Sequence, residues 1–457
     1  MSYKPNTKES QERTVPVDYC LHIPSGLQGF HNEKTIIKTS ESGELTYCFY
    51  GYVDVSESDR VCKCGGTMHI HDQYVTRLNH LNFGTIPTEI VLTVQRFFCP
   101  KCGKTHIQHI AFKAAPHWIT VQLLRTVCGL LSSGTYTLRQ ISRITGLCKN
   151  VVKAIDKERL LGLHTTDNGT KLKKPERQAK YLAIDEFKLH RGHQFATHII
   201  DLETGHILWI QKGKGKDVVH DFIDHVGLNW MKGVEAVSCD MNAGFHAAFL
   251  KRCPHLRIVF DYFHIIKNFN EKVVNEVRMD EMRRLYKEGK TEAASKLKHS
   301  KYILVSSRET LQKKDEKAEK EQAVKQEESL FKKKKRKLKG GNEEKYNALI
   351  KENQLLLTID IIKEKLKHAY KLTDETEMKA EITEIIELCE SVKNRHFDWF
   401  AKFLTSHFKG ITGHAVYNIS NGKMEGINQK IKTLRRQAYG YNDDDYFFLK
   451  LIDISRH

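Results

Sequence analysis

The stretch that decides the fold is YLAIDEF at residues 181–187, an apolar run with an acidic residue in its interior. Its length and its apolar residues predict a buried β-strand. An Asp inside such a strand is costly unless its charge is compensated, and a divalent cation is a natural partner for it. A capping or turn role is the plain alternative for a single Asp, but the mid-strand position of Asp185 argues against that role.

The segments that follow extend this strand into a sheet. The stretches QFATHIID at 194–201 and HILWI at 206–210, joined by a turn at 203–205, predict an antiparallel meander of three strands. Two more apolar strands follow, and each ends on an acid, at Asp240 and Asp261. This order of strands and acids is the layout of an RNase H-like sheet. For Asp240 taken alone, a cap or turn residue is the simpler interpretation.

A third acid is expected from a helix beside the sheet. In SNGKMEGINQKIK at 420–432, the apolar positions form a core stripe of Met424, Ile427, Ile431 and Leu434. Glu425 lies on the flank of this stripe, and helical spacing aligns it with Asn428, Gln429, Lys432 and Arg436. A carboxylate beside a basic row suits a site for metal and phosphate. A surface ion pair explains the same spacing equally well.

Two pairs of cysteines predict a zinc ribbon. Four thiolates on adjacent hairpin turns suit tetrahedral zinc, and the ligands would be Cys62, Cys64, Cys99 and Cys102. The first pair is a tight Cys-x-Cys, so Cys62 is the weakest of these ligands, and His69 or His71 could replace one. Four ordinary reduced cysteines are the alternative. The other cysteines are expected to be small buried residues, namely Cys20, Cys48, Cys128, Cys148, Cys239, Cys253 and Cys389.

Residues 135–160 predict a helix-turn-helix. The first helix would turn Leu138, Ile141 and Ile144 to one face, Gly146 would supply the turn, and the second helix would face back through Val151, Val152 and Ile155. Residues near the start of the second helix would reach phosphates or base edges from the solvent side, namely Lys149, Asn150 and Lys153. A plain helical hairpin inside a larger domain is the alternative.

Composition bounds these interpretations. The chain has 457 residues, with 74 Lys and Arg against 56 Asp and Glu, and its net charge of +18 favours a polyanionic partner. No apolar run approaches the ~20 residues of a membrane span, and the first residues lack a secretion signal. We therefore expect a cytoplasmic, nucleoid-associated protein whose cysteines are reduced. Residues 312–341 are nearly all charged, which predicts a solvated helix or a disordered loop.

These segments together resemble a bacterial insertion-sequence transposase of the DDE type, the insertion-sequence L-three family. The resemblance covers about residues 60–450 and rests on the helix-turn-helix and on CPKCG at 99–103, AIDE at 183–186, SCDM at 238–241, FDYFH at 260–264, SNGKMEGIN at 420–428 and IKTLRRQAYGY at 431–441. Two features depart from the family pattern. Cys-x-Cys stands where the family shows Cys-x2-Cys, and the charged segment at 312–341 is longer, which we interpret as a loop extension without chemistry.

The resemblance implies that Asp185, Asp240 and Glu425 are catalytic and hold two Mg²⁺ (or Mn²⁺) ions for cleavage and transfer of DNA strands. It implies supporting roles for Asp261, His264 and Asn428, and phosphate contacts from Lys430, Lys432, Arg435 and Arg436. The expected partners are double-stranded DNA, as terminal inverted repeats and target, and a second copy of the chain or a larger assembly. A catalytically inactive DNA-binding regulator with the same zinc ribbon and helix-turn-helix is the alternative.

The predicted architecture is a multidomain α+β protein, in which an RNase H-like α/β catalytic domain is interrupted by a large all-α insertion. We expect an N-terminal region at 1–60, a zinc ribbon at 61–112, a helix-turn-helix at 117–165, a first catalytic part at 180–268, a helical insertion at 269–410 and final catalytic helices at 411–457.

Overall fold

The computed structural model describes residues 11–15, 27–323, 340–419, 422–438 and 441–456. Some predictions therefore lie outside the described residues: those for Cys20, for positions 324–339 of the charged segment, and for motif residues 420, 421, 439 and 440. The chain divides into two compact units. Unit 1 contains the described residues up to Lys173 together with Thr433–Ser455, and unit 2 contains Lys174–Lys432 and Arg456.

Unit 1 contains a six-stranded sheet. Its strands are β1 (Gln11–Val15), β2 (Phe30–Thr39), β3 (Leu45–Val53), β4 (His69–Phe83), β5 (Ile86–Phe98) and β6 (Thr105–Ile107). They are ordered β1-β2-β3-β5-β4, and β6 pairs with β5. Alternate residues of β4 and β5 point to one face, so Leu78, Ile90 and Leu92 form a core with Phe112. The β4–β5 hairpin carries the cysteine pairs at its open end.

Unit 1 also contains the expected pair of helices. Its helices are α1 (Val121–Ser132), α2 (Leu138–Thr145), α3 (Lys149–His164) and α18 (Asp444–Ile454), and a ribbon of β7 (Thr165–Thr166) and β8 (Lys171–Leu172) follows α3. Helix α2 begins with a capping box between Thr137 and Gln140 and ends at Gly146, whose φ is 72°. The turn between the two helices therefore lies where the sequence predicts it.

One inward-facing position of α2 is corrected. Ile144 is 47% exposed, while Ile141 and Thr145 are buried. The buried positions 141 and 145 are about one helical turn apart, and Ile144 lies outside the stripe that they form. The core of this region joins α1, α2 and α3 through Leu123, Val127, Ile141, Leu147, Val152 and Ile155.

Buried ion pairs attach α18 to α3. Asp156 is fully buried and accepts hydrogen bonds of 2.7 Å from both Tyr446 Oη and Lys450 Nζ. Arg159 donates to Asp156 at 2.9 Å and to Asp453 at 2.7 Å. A buried charge without its partner is strongly unfavourable, so these pairs hold the last helix on α3.

The central sheet of unit 2 has five strands in the order β11-β10-β9-β12-β13. They are β9 (Tyr181–Lys188), β10 (Phe195–Asp201), β11 (Ile207–Lys212), β12 (Ala236–Cys239) and β13 (Arg257–Phe260). Strands β9, β10 and β11 form the expected antiparallel meander, and β12 runs parallel to both β9 and β13. The residues of β12 are all buried, as is usual for a strand covered on both faces.

Helices make up most of the rest of unit 2. They are α4 (Lys216–Val226), α5 (Leu228–Met231), α6 (Ala243–Arg252), α7 (Tyr262–Phe269), α8 (Asn275–Lys287), α9 (Thr291–Lys298), α10 (Lys301–Val305), α11 (Arg308–Ala323), α12 (Asn342–Glu352), α13 (Gln354–Ala369), α14 (Glu375–Ser391), α15 (Arg395–Ser406), α16 (Phe408–Tyr417) and α17 (Gly422–Ala438), which continues into unit 1 after Lys432. A π-helical turn, Asn270–Val274, joins α7 to α8.

Packing of α16 against β13 depends on a glycine. A Cβ atom on Gly410 would lie 2.3 Å from the ring of Phe260, so only glycine allows this approach. Across the described ranges, no helix combines the length and the apolar composition that are needed to cross a bilayer.

Candidate zinc site and carboxylate cleft

The four predicted zinc ligands lie together. The sulfurs of Cys62, Cys64, Cys99 and Cys102 are all within 4.8 Å of one another. Cys62 and Cys102 Sγ are 3.5 Å apart, and Cys64 and Cys99 Sγ are 3.7 Å apart. Sulfurs at about 2.3 Å from a tetrahedral zinc ion would be roughly 3.8 Å apart, so the spacing fits a structural zinc ion. The tight first pair therefore still brings Cys62 to the cluster, without His69 or His71.

Glycines shape both cysteine turns. Gly65 and Gly103 have φ values of 75° and 69°, and their N–H groups donate to the carbonyls of Cys62 and Cys99. The sequence interpretation missed Gly66, where an added Cβ would lie 3.0 Å from Cys99 Sγ. The second glycine of Cys-Gly-Gly could have indicated this close approach to the cysteine cluster.

The remaining described cysteines divide by burial. Cys48, Cys239, Cys253 and Cys389 are buried, as predicted. Two predictions of burial are corrected, because Cys128 is only half-buried and Cys148 is exposed. Cys148 precedes α3 as its N-cap residue, and this position at the start of a surface helix leaves its side chain in solvent.

Three acids lie side by side on the parallel strands of unit 2, one inside β9 and one directly after each of β12 and β13. Cys239 pairs with Ile184 on one side and with Phe260 on the other. The next residue on each strand is an Asp, so Asp185, Asp240 and Asp261 reach the same edge of the sheet. Asp261 also begins α7, where its Oδ2 accepts a 3.1 Å hydrogen bond from the N–H of Phe263.

A cleft of about 620 Å³ opens at this edge. It is lined by Asp185, Asp261, His264, Glu425, Asn428 and Lys432, among others. The last three come from α17, whose buried face carries Met424, Ile427 and Ile431 as predicted. The structure thus brings Asp185 and Glu425 to one cleft with all three predicted supporting residues. In the described part of the chain, Asp240 is not among the lining residues.

Asn428 connects α17 to the central strand. Its Nδ2 donates a 2.7 Å hydrogen bond to Asp185 Oδ2, and Asp185 Oδ1 accepts a 2.8 Å bond from the N–H of Glu186. Since Asn428 lies three residues after Glu425, the two side chains share one helix face. The bond therefore orients the Asp185 carboxylate and holds the Glu425 turn beside it.

Asp240 lies in the turn between β12 and α6. Its Oδ1 accepts a 3.0 Å hydrogen bond from the N–H of Asn242, and its carbonyl oxygen lies 2.8 Å from His246 Nε2. Burial lowers the pKa of His246, although the Asp240 charge opposes this shift. A neutral imidazole can donate that bond, so the turn holding Asp240 is supported by a neutral His.

Glu186 is a fourth carboxylate that the sequence interpretation did not single out. Burial raises its pKa, and the charges of Asp240 and Asp185 raise the pKa further, against the opposing charge of Lys214. Within the described residues, its Oε2 atom is buried and has no hydrogen-bond partner. A buried oxygen among like charges is the environment that a divalent cation compensates. Two adjacent acids at 185 and 186 were the signal.

His198 is the cross-strand neighbour of Asp185. It pairs with Asp185 across β9 and β10 and is fully buried. Burial lowers the pKa of His198 to about 4, so the imidazole is neutral at pH 7. The residue that pairs with Asp185 on β10 is therefore buried and uncharged.

The spread of the acids bears on which metal arrangement fits. Throughout the described ranges, only the cysteine group places three or more His, Cys, Asp or Glu ligand atoms within 4.8 Å of one another. The three predicted catalytic carboxylates are therefore spread wider than a single-ion cage. Two-ion sites hold their ions ~4 Å apart and distribute carboxylates between them, and Mg²⁺ prefers hard oxygen ligands. The donor set fits such a pair in its chemistry.

The predicted DNA-contacting residues differ in exposure. Lys149 and Asn150 are exposed at the start of α3. The Lys153 side chain is 41% exposed, and its Nζ lies 3.4 Å from Asp443 and 5.3 Å from the centre of the Tyr446 ring. On α17, Lys430, Lys432 and Arg436 are exposed, whereas Arg435 lies over the Phe447 ring at 5.9 Å.

Comparisons with known proteins agree with these features. A family model described as an ISL3 transposase matches residues 182–451, and a model described as the zinc-finger of transposase IS204/IS1001/IS1096/IS1165 matches residues 61–102. The first model covers more than half of the chain. The chain therefore belongs to the ISL3 transposase family and carries its zinc ribbon.

Two curated relatives span most of the chain. The transposase for insertion sequence element IS1001 of Bordetella parapertussis is 26% identical over 390 residues, which cover 85% of this chain and 87% of that protein. The transposase for insertion sequence element IS1557 of Mycobacterium tuberculosis is 22% identical over 413 residues, covering 84% of this chain and 82% of that protein.

Proposed function

We propose that this protein is a DNA transposase that binds the terminal inverted repeats of an insertion sequence and cleaves and transfers DNA strands by two-metal chemistry. The observation that carries the proposal is the shared cleft of Asp185 and Glu425, with Asp240 at the end of the adjacent strand. The strand order β11-β10-β9-β12-β13 supports an RNase H-like domain, and the helices before α17 match an insertion ahead of its last acid.

Each residue of the cleft would have its own role in the reaction. Asp185, Asp240 and Glu425 would hold two Mg²⁺ or Mn²⁺ ions, which when bound activate a water or a 3′-hydroxyl and stabilise the leaving oxygen. Asn428 keeps the Asp185 carboxylate oriented through its 2.7 Å bond. Lys432, in the same cleft, would attract the backbone phosphate of the DNA. Asp261 and His264 would position the DNA strand.

DNA recognition would come from the other predicted parts. Lys149 and Asn150 would reach phosphates or base edges from α3, and Lys153 would contribute less because Asp443 already pairs with it. Lys430, Arg435 and Arg436 would bind phosphates along α17. The zinc ion would stabilise the β4–β5 end structurally. We also infer a homodimer or larger assembly, since two element ends must meet. We propose the predicted domain boundaries with one difference: α18 packs on α3 in unit 1 and so lies outside the catalytic part.

A cleavage assay tests this function. Purified protein is incubated with DNA from the two ends of its element, with Mg²⁺ or Mn²⁺, and strand breaks are mapped. We expect metal-dependent cleavage that Asp185→Asn and Glu425→Gln each reduce by at least about 100-fold, whereas Glu387→Gln, at an exposed position of α14, retains it. Specific DNA binding without cleavage in the unmodified protein would favour the regulator instead.

A further inference from the structure

A second cavity, of about 390 Å³, adjoins the carboxylate cleft. Phe263 lines both cavities, so the acidic cleft and the second cavity share this residue. Phe263 is 54% exposed, and its ring meets that of His264 edge-on with centroids 5.5 Å apart. A single exposed aromatic side chain is unremarkable on a protein surface. This one differs because it lines two cavities at a candidate phosphodiester-cleaving site.

The walls of the second cavity contain an irregular helix. The π-helical turn Asn270–Val274 interrupts the helical run, and both Asn270 and Asn275 line the cavity. Among the described residues, the buried Oδ1 atom of Asn270 has no hydrogen-bond partner. Single π turns often occur at functional sites, and a buried acceptor without a partner calls for an explanation. The π turn therefore marks this wall as a candidate ligand-binding surface.

The charge of the cavity favours an anion with polar groups. Lys267 and Lys301 line it from two different helices, and both are exposed. Glu271 lines it as well and leaves a net charge of +1 among these three. An aromatic face, two cations and amide groups are the components with which proteins bind single-stranded nucleic acid.

We propose that this cavity binds an unpaired nucleotide of the DNA strand next to the scissile phosphate, with its base stacked on Phe263 and its phosphate at Lys267 and Lys301. The proposal rests on the proposed function, because the adjoining cleft supplies the continuous DNA strand. Stacking on an aromatic ring tolerates any base, so the cavity would read the unpaired state of the nucleotide rather than its identity. The DNA end would thus be unpaired where it meets the carboxylates.

The test compares two DNA probes without metal. One is a blunt duplex, and the other has the same sequence with a five-nucleotide unpaired tail that carries 2-aminopurine at the junction. Binding is measured by fluorescence anisotropy in buffer without Mg²⁺ or Mn²⁺ and without chelator, which leaves the zinc ribbon loaded, and stacking is measured by quenching of 2-aminopurine. We expect the tailed probe to bind more tightly and to be quenched. Phe263→Ala should weaken tailed binding by roughly 5- to 100-fold and abolish quenching, whereas Phe263→Trp should retain both.

Matched controls exclude general damage. Phe83 in unit 1 is 50% exposed, and Phe83→Ala should leave the preference for the tailed probe unchanged. Lys301→Ala should weaken tailed binding and lower its salt dependence by about one phosphate contact. Equal behaviour of Phe263→Ala and Phe83→Ala overturns the proposal, and so does quenching of a free 2-aminopurine mononucleotide to the same extent at the same concentration.

Different results contradict the proposed function and the proposed nucleotide site. A tail preference that depends on Phe263, in a protein that cleaves no DNA with Mg²⁺ or Mn²⁺, contradicts the proposed function alone. Metal-dependent cleavage with no tail preference contradicts this inference alone.

Discussion

The Nδ2 atom of Asn428 donates a 2.7 Å hydrogen bond to Oδ2 of Asp185, which lies 243 residues earlier in the chain. This bond joins the first predicted catalytic acid to the helix that carries the last one. A side chain that holds a metal-binding carboxylate in place contributes to both metal affinity and rate.

We therefore expect Asn428→Ala to lower strand cleavage by about 10- to 100-fold and to raise the Mg²⁺ concentration needed for half-maximal rate. Asn428→Asp should be at least as damaging, because it sets a second negative charge against Asp185. Titration of cleavage rate with Mg²⁺ measures both effects. Gln437→Ala, at an exposed position of the same helix, serves as the control, and an unchanged Mg²⁺ requirement in Asn428→Ala would show that the bond has no role at the metal site.

The zinc site predicts a distinction between cysteine and histidine variants. Cys62→Ser should lose zinc and lower the thermal unfolding temperature, because Cys62 Sγ lies 3.5 Å from Cys102 Sγ within the cluster. His69→Ala and His71→Ala should retain one zinc per chain, since both residues are exposed outside that group. Metal analysis of the purified variants decides this, and zinc loss in either histidine variant would contradict the four-cysteine site.

The buried network between α3 and α18 predicts a large loss of stability. Asp156→Ala leaves Lys450 without its buried partner and removes one of the two acids that pair with Arg159, so the free energy of unfolding of unit 1 should fall by about 3–5 kcal/mol. Urea titration followed by circular dichroism measures the change. Lys171→Ala removes the exposed partner of Asp167 in the same unit and should cost under about 1 kcal/mol. Equal effects of the two variants would mean that the network does not hold α18.

His198 predicts a pH dependence of stability. Burial lowers the pKa of His198 to about 4, whereas an unfolded His titrates near 6.5, so the unfolded chain binds the extra proton between these values. Stability from this group is therefore complete above pH ~6.5 and falls by up to about 1.4 kcal/mol per pH unit down to pH ~4. His198→Asn should reduce that slope in urea titrations at several pH values. His193→Asn, at an exposed position, should not reduce it.

Local patterns predicted much of the fold. Apolar runs joined by a turn located the three-strand meander, and Gly146 located the end of α2, because neighbouring residues determine these features. Ile144 was placed less well. The buried positions of α2 are 141 and 145, and packing against α1 and α3, which the local pattern does not specify, leaves Ile144 outside them.

The sequence by itself determined which residues can do chemistry: four thiolates in two tight turns, acids at the ends of apolar strands, and Glu425 on the polar flank of an amphipathic helix. Only the tertiary structure decided which of them meet. Strand register set Asp261 level with Asp185 and Asp240, and the packing of α17 brought Glu425 and Asn428 to Asp185. The physical reason is that register and helix packing depend on the whole buried surface, whereas periodicity reports only the faces of single elements.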